Sequence, residues 1–212
     1  MGKSLNCLIS AGPTREWIDP VRFISNPSSG KMGYALASEA HKRNFKVNLV
    51  SGPVLLPIEK GIDVTYVESA EEMSIAMMTQ FNEADLIIMC AAVCDHKPKE
   101  MWGQKKKKAD FPSSIEFVST KDILYELGKR KKANQKLIGF AAETESCEQN
   151  AKKKLNLKNL DWIALNDVSI KDIGFESDLN EITLYSNSEQ KVKLSIASKE
   201  KLAAQIFDII TK

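Results

Sequence analysis

The residues best suited to chemistry lie in one stretch, Arg22-Phe23-Ile24-Ser25-Asn26-Pro27-Ser28-Ser29-Gly30-Lys31-Met32-Gly33. A short apolar run at 5–9 precedes it and a helical pattern at 34–43 follows. A strand, a polar glycine-containing loop and a helix hold phosphate in many α/β proteins. The first N–H groups of a helix have no partner within it, and the helix dipole favours an anion there. Ser28, Ser29 and Gly30 are small enough to let an anion approach the backbone, and Lys31 adds positive charge. The same serines could cap the helix with no ligand at all; residue types alone leave both readings open. The stretch is not a Walker A loop, because Ser25 stands where the first glycine belongs and Met32 replaces Ser or Thr.

Two lysine clusters add to this inventory. Lys105, Lys106, Lys107 and Lys108 sit inside a long polar segment, 92–112, that carries Pro98 and Pro112. Long loops without structure of their own are usually functional, so 97–111 reads as a flap over a site. Lys154 and Lys158 are four apart near the end of a helix expected at 143–157, which puts both on one helix face. The basic run at 129–132 reads as a solvated face. Cations gathered around anion-binding backbone suggest chemistry on phosphates, with electrostatic stabilisation contributing most of the catalysis. The pattern argues against a Ser-His-Asp hydrolase: there is no Gly-x-Ser-x-Gly elbow, and the histidines are His41 and His96 alone. Cys7, Cys90, Cys94 and Cys147 are scattered, and the Cys90/Cys94 spacing with no second pair is a poor zinc signature, so no protein metal-ligand set is expected.

These groups need a scaffold. With 212 residues, 43% of them hydrophobic, the chain is long enough for one sizeable domain over 1–212. A net charge of +2 argues against a general nucleic-acid binder, whose affinity would come from counterion release along a basic face. No run is apolar for long enough to span a bilayer, and the start of the chain leads into a strand rather than a signal peptide. A reducing cytoplasm is the expected location. The patterning predicts strands at 5–10, 46–51, 64–67, 86–90, 114–118, 137–140 and 162–165. It predicts helices at 32–42, at 70–81 capped by Ser69, at 121–131 capped by Ser119 or Thr120, at 143–157 and at 199–211. Segments 181–186 and 191–196 read as a C-terminal hairpin. This order implies an α/β fold: a doubly wound, mostly parallel, Rossmann-like sheet with helices on both faces and right-handed crossovers. Ligands sit outside the carboxyl ends of such strands. The groups expected to converge are Gly12, Arg22 and Asn26, then Ala91, Asp95 and the flap, then Ala141, Glu143 and Thr144, then Asn166 and Asp167.

The motifs carry a resemblance. Ser10-Ala11-Gly12-Pro13-Thr14-Arg15, Ile18 through Asn26 and Ser28-Ser29-Gly30-Lys31-Met32-Gly33 resemble phosphopantothenate–cysteine ligase, also called phosphopantothenoylcysteine synthetase. So do Ala91-Ala92-Val93-Cys94-Asp95, the flap lysines, Gly139 through Thr144, Asn166-Asp167, Gly174-Phe175 and Ser177-Asp178. The resemblance covers nearly the whole chain in order. It implies activation of the carboxylate of 4′-phosphopantothenate by a nucleoside triphosphate with release of pyrophosphate, then attack by L-cysteine on the acyl-nucleotide. The motifs are of the bacterial type, which implies CTP with Mg²⁺, a homodimer, and a stand-alone synthetase with a flavin-dependent decarboxylase as a separate partner. By position, the nucleotide site resembles Met89, Cys90, Ala91, Asp95, Lys105, Lys121, Asp122, Ile123, Leu124, Phe140, Lys154 and Lys158. Substrate-side residues are Gly12, Arg22, Asn26, Ser28, Ser29 and Gly30, and the resemblance implies catalytic roles for Asn26, Arg22, Lys105 and Lys108. Lys106, Cys94 and Leu165 depart from the family's usual residues.

Two other classes fit less well. A dinucleotide-dependent oxidoreductase needs Gly-x-Gly-x-x-Gly after the first strand and an acidic residue ending the second, and the chain offers Gly12 and Ser51-Gly52 there. An RNA-binding module would show a basic, aromatic-lined face, which the balanced charge does not suggest.

Overall fold

The computed structural model of the protein describes residues 4–167 and 177–212. Its first strand, β1 (Asn6–Ala11), is followed by a hairpin of β2 (Arg15–Asp19) and β3 (Arg22–Ser25), then α1 (Lys31–Lys42), β4 (Lys46–Ser51) and β5 (Asp63–Tyr66). Next come α2 (Ala70–Phe81), β6 (Leu86–Met89), β7 (His96–Pro98), β8 (Phe117–Ser119), α3 (Ile123–Arg130) and β9 (Lys136–Glu143). The chain closes with α4 (Cys147–Leu157), β10 (Trp162–Asp167), β11 (Leu179–Ser186), β12 (Lys191–Ser198) and α5 (Lys199–Ile210).

Eight strands form one sheet in the order β12-β11-β10-β9-β6-β1-β4-β5. The six from β10 to β5 are parallel, while β11 runs antiparallel to β10 and β12 antiparallel to β11. Numbered along the chain, the parallel strands lie in the order 3-2-1-4-5-6, with the switch point between β1 and β6. Side chains alternate across the sheet, so Cys7, Ile9 and Ala11 of β1 join one core cluster and Leu8 the other. The first cluster packs the sheet against Leu36 and Ala40 of α1 and Leu202 and Phe207 of α5. The second packs it against Met73, Met77 and Phe81 of α2, Leu127 of α3 and Leu155 of α4. Each large apolar side chain so buried is worth about 1.5–3 kcal/mol. The expected architecture is present: a mostly parallel sheet, helices on both faces and a C-terminal hairpin on its edge.

Local boundaries differ where polar side chains do the positioning. The β2–β3 hairpin occupies a stretch whose pattern reads as loop, because its inward positions are carboxylates rather than apolar residues. Buried Glu16 accepts from the Ala70 N–H at the start of α2 (2.8 Å), and buried Asp19 accepts from the Val21 and Arg22 N–H groups (2.9 and 3.0 Å), closing the turn. Helix α3 is capped by Asp122, whose carboxylate accepts from Tyr125 N–H (3.0 Å), not by Ser119 or Thr120. The Thr120 hydroxyl instead donates to Cys94 O (2.6 Å). Strand β9 runs to Glu143 and α4 starts at Cys147, because β10 offers parallel partners that far. Of the strand expected at 114–118 only the end forms, as β8 (Phe117–Ser119), which pairs with β7 in a separate ribbon at the base of the flap. Ser69 caps α2 in a reciprocal box with Glu72, as its spacing predicts. Gly174 and Phe175 lie outside the described residues.

Candidate active site

A cleft of about 420 Å³ opens at the switch point, over the carboxyl ends of β1, β6, β9 and β10. Polar groups of buried residues hold the loops that leave β1 and β6 together. The buried Ser10 hydroxyl accepts from the N–H groups of Cys90 and Ala91 (3.2 and 3.1 Å), and Thr14 Oγ1 accepts from Cys94 N–H (2.9 Å). Backbone bonds from Ala92 N–H to Gly12 O (2.9 Å) and from Thr14 N–H to Ala92 O (3.2 Å) complete the seam. The cleft walls are thereby fixed by the scaffold before any ligand arrives.

The N-terminus of α1 forms one wall. Gly30 precedes the helix with no side-chain cap, and among the described residues Ser28 Oγ accepts from the N–H of Gly30 itself (3.3 Å). Among the described residues, Ser28 does not cap the first helical turn. The first turn, Lys31-Met32-Gly33, lines the cleft together with Asn26, Ser28, Ser29 and Gly30. An added Cβ at Gly33 would lie 2.5 Å from the Cβ of Ala11, so glycine is needed for α1 to pack this close to β1. Asn26 reaches across the seam: its Nδ2 donates to Ala92 O and Val93 O, both at 3.1 Å. The donor side of that amide is therefore engaged with the β6 loop, and its Oδ1 accepts from no described residue.

The opposite wall comes from β6, α3, β9 and α4. It brings together Met89, Cys90, Ala91, Asp95, Lys121, Asp122, Ile123, Leu124, Phe140, Lys154 and Lys158. The two lysines share a face of α4, and each is aimed by a carboxylate. Glu143 Oε1 lies 2.6 Å from Lys154 Nζ and takes Asn150 Nδ2 on its other oxygen (3.1 Å), while Asp122 Oδ2 lies 2.8 Å from Lys158 Nζ. Both charges are compensated yet available to an entering anion, beside the apolar surface of Phe140, Ile123 and Leu124. Such a wall suits a base or sugar next to a phosphate.

Three further lining residues, Asn166, Asn180 and Lys199, come from β10, β11 and the first turn of α5. Of these, Asn166 stands among the strand-end groups that the sequence brings forward, while Asn180 and Lys199 reach the site only through the C-terminal hairpin. The signal for Lys199 is weak in sequence: a lysine following Ser198 at a helix start, where an acidic residue would be usual. In the structure it is 3% exposed. Burial pushes its pKa down and the charge of neighbouring Lys31 pushes it further, opposed in part by Asp178. Burial also pushes the Cys90 thiol up to about 12, which favours its protonated form.

Gly12, Arg22, Lys105 and Lys108 stand apart from the cleft walls. Gly12 lies beneath the loop with φ +75°, and an added Cβ would meet Val54 at 3.1 Å and Gly52 O at 3.2 Å, so its role here is backbone conformation. Arg22 clamps the flap to the hairpin. Its Nη1 donates to Asp19 Oδ2 (2.7 Å), both guanidinium nitrogens donate to Lys106 O (3.3 Å), and the group lies 4.7 Å over the Phe111 ring. Lys106 N–H donates to the same Asp19 oxygen (3.4 Å), and Trp102 N–H donates to Ile18 O (2.9 Å). Trp102 packs edge-on to Phe111 with centroids 5.6 Å apart. Thus docked, the flap presents Lys105 and Lys108 to solvent rather than to the cleft. Burial pushes the Asp19 carboxyl up, but backbone donors from Val21, Arg22 and Lys106 and the Arg22 charge outweigh it and hold the pKa below its ordinary value.

Among the described residues no group of three or more His, Cys, Asp and Glu side chains could hold a metal ion. Asp95 and Asp122 are the cleft's carboxylates.

The family model of the DNA/pantothenate metabolism flavoprotein C-terminal domain matches residues 2–212. The chain is 46% identical over 204 residues to the coenzyme A biosynthesis bifunctional protein CoaBC of Bacillus subtilis (strain 168), covering 96% of this chain and 50% of that protein. It therefore spans about half the length of the curated relatives it matches. A crystal structure of the C-terminal domain of a CoaBC superposes with a TM-score of 0.82 at 39% identity, covering 97% of this chain and 93% of that one. A Cab2 mutant in complex with phosphopantothenate-cysteine has a TM-score of 0.76 at 15% identity, covering 98% and 85%, a likeness of fold alone.

Proposed function

Since the chain belongs to the DNA/pantothenate metabolism flavoprotein C-terminal domain family, we propose that it is a phosphopantothenate–cysteine ligase using CTP through an acyl-cytidylate. The observation that carries this reading is the convergence, at one switch-point cleft, of an uncapped helix N-terminus, Asn26, Phe140 and the paired lysines Lys154 and Lys158. Nucleotide binding is assigned to Phe140, the Lys121–Leu124 turn, Lys154 and Lys158. The N–H groups of the first turn of α1 receive phosphoryl oxygens as pyrophosphate leaves, where pre-oriented donors favour the developing charge. Asn26 Oδ1 accepts from the amine of cysteine and orients its lone pair toward the acyl carbon. The flap swings from its dock on the hairpin, bringing Lys105 and Lys108 to the nucleotide. The cleft fits Mg²⁺ held by Asp95 and substrate phosphates, since this ion is commonly bound by one or two carboxylates plus phosphate oxygens. When bound it would neutralise charge on the triphosphate.

No helix among the described residues is long and apolar enough to cross a membrane. A cytoplasmic homodimer is proposed, passing its product to a decarboxylase. The test is product formation from 4′-phosphopantothenate, L-cysteine and CTP, followed by mass spectrometry with omission of each substrate. Product that forms equally without CTP or without cysteine would overturn the reading.

A further inference from the structure

The segment that leaves β4 lies outside the cleft, yet it follows α1 along one face. Positions 30, 34, 38 and 41 are spaced by about one helical turn, so they share that face. At the first, the place a Gly30 Cβ would take lies 3.0 and 3.4 Å from the two γ carbons of Val54. At the second, the Tyr34 and Ser51 hydroxyls are 2.9 Å apart. At the third, Ser38 Oγ donates to Glu59 Oε2 (2.6 Å). At the fourth, Gly61 has φ +100°, and a Cβ there would lie 2.7 Å from His41 Cε1. Residues 51–61 are thus a strap laid along α1 from its start to its last turn. The first end of the strap is fixed to the loop after β1: Gly52 N–H donates to Ala11 O (2.9 Å), and a Cβ on Gly52 would lie 1.8 Å from Pro13 O.

Val54 is where the strap meets the start of α1. Gly12 and Gly30 both have φ +75°, and Gly12 Cα lies 3.4 Å from the place of a Gly30 Cβ. One Val54 methyl covers both glycines, 3.1 Å from a Cβ placed on Gly12 and 3.0 Å from one on Gly30. Gly30 begins the helix without a side-chain cap, so packing helps to set where the N–H groups of the first turn point. Valine suits this task, because branching at Cβ leaves it few rotamers. Val54 is half-buried behind the cleft wall rather than in it, and Leu55 beside it is fully exposed. In dinucleotide-binding sheets the end of the second strand offers an acid to a ribose. Here that end turns a methyl group onto two glycines and so places backbone rather than ligand.

We propose that Val54 is a positioning residue: through Gly12 and Gly30, the strap after β4 holds the start of α1 at the setting the reaction needs. The role rests on the ligase reading for its reaction, in which the first-turn N–H groups receive the departing pyrophosphate. A misplacement of about 1 Å at such a centre costs about a hundredfold in rate.

The test uses Val54→Ala, which removes both γ carbons, and Val54→Thr, which keeps the branched shape. Tyr34 N–H donates to Gly30 O (3.1 Å), so its hydrogen exchange reports whether the helix start stays closed. Val54→Ala should speed exchange at Tyr34 by about tenfold or more, with Ala40, deeper in α1, within about twofold of the wild type. Its turnover should fall about fivefold or more with KM for CTP within about twofold, since these donors act as pyrophosphate leaves. Val54→Thr should restore most of both. A valine that only fills space would lower the melting temperature of Val54→Ala and leave the turnover of the folded enzyme unchanged; that result overturns the proposal. Exchange at Tyr34 within about twofold of the wild type in Val54→Ala overturns it as well. If the wild type makes no product while Val54→Ala still speeds exchange at Tyr34, the strap stands and the ligase reading falls. Full wild-type activity, with exchange and turnover indifferent to Val54, does the reverse.

Discussion

Asn26 is the residue whose replacement separates structure from chemistry most cleanly. Its Nδ2 donates to both Ala92 O and Val93 O at 3.1 Å, joining the loop before α1 to the loop after β6. Each such bond contributes about 0.5–1.5 kcal/mol, so Asn26→Ala should cost about 2 kcal/mol in all. For a chain of this length each kcal/mol lowers Tm by about 2–4 °C, giving a fall of about 4–8 °C. Aspartate, nearly isosteric, keeps the acceptor oxygen but sets an ionised oxygen against the same two carbonyl oxygens. Asn26→Asp should therefore melt lower than Asn26→Ala, although as an isolated helix cap aspartate equals asparagine. Chemistry should separate the pair in another way. If Oδ1 accepts from the amine of cysteine, Asn26→Ala, which lacks that acceptor, should still release pyrophosphate from CTP yet form product at least about tenfold more slowly, with acyl-cytidylate accumulating, while Asn26→Asp, which keeps it, should lose less. Melting by circular dichroism, pyrophosphate release and mass spectrometry of the intermediate read the three quantities independently. An Asn26→Asp protein that melts within about 1 °C of the wild type would refute the clamp, because a lost pair of bonds predicts several degrees. Wild-type product formation by Asn26→Ala would remove Asn26 from the reacting centre.

Other outcomes follow from the same geometry. Lys158→Met should raise KM for CTP with little change in turnover, because its pairing with Asp122 orients a ground-state contact; an unchanged KM would place the nucleotide elsewhere. Lys105→Gln should lower turnover more than binding, since its charge acts once the flap closes and pyrophosphate departs; unchanged pyrophosphate release counts against that role. The Asp19 carboxyl is held below its ordinary pKa by donors from the flap and hairpin, so its clamp is fully present above about pH 3.9 and is lost as pH falls through the lower folded value. Emission from Trp102, in a variant with Trp17 and Trp162 replaced by Phe, should hold steady from neutrality to that range and shift only below it; a shift near pH 5 would show that another group holds the flap. Light scattering at micromolar concentration should give the mass of a dimer, and a monomer would remove the proposed assembly.

Periodicity and punctuation in the chain determine the α/β layering. Apolar runs without alternation at 5–10 and 86–90 have to be strands buried on both faces, and the helical spacings at 32–42, 70–81 and 199–211 supply the covering layers. The gathering of Lys154, Lys158 and Phe140 in one cleft wall is legible too, because the lysines lie one helical turn apart and Phe140 falls in a buried apolar run. What the chain hides is whatever depends on polar side chains pointing inward. Glu16 and Asp19 build the β2–β3 hairpin by accepting backbone N–H groups, and a hydrophobic pattern gives no trace of such a strand. Arg22 resembles a substrate residue by position, and the tertiary structure adds contacts that the sequence hides, to Lys106 O and the Phe111 ring of the flap. Lys199 is one lysine among many along the chain, yet the C-terminal hairpin carries it to the inner wall beside Lys31 and Asn166. Local sequence determines which segments become helix or strand, since those choices are set within one or two turns. Whether a charge ends in solvent, in a clamp or in a cleft is decided by which strands become neighbours, and that order exists only in the folded sheet.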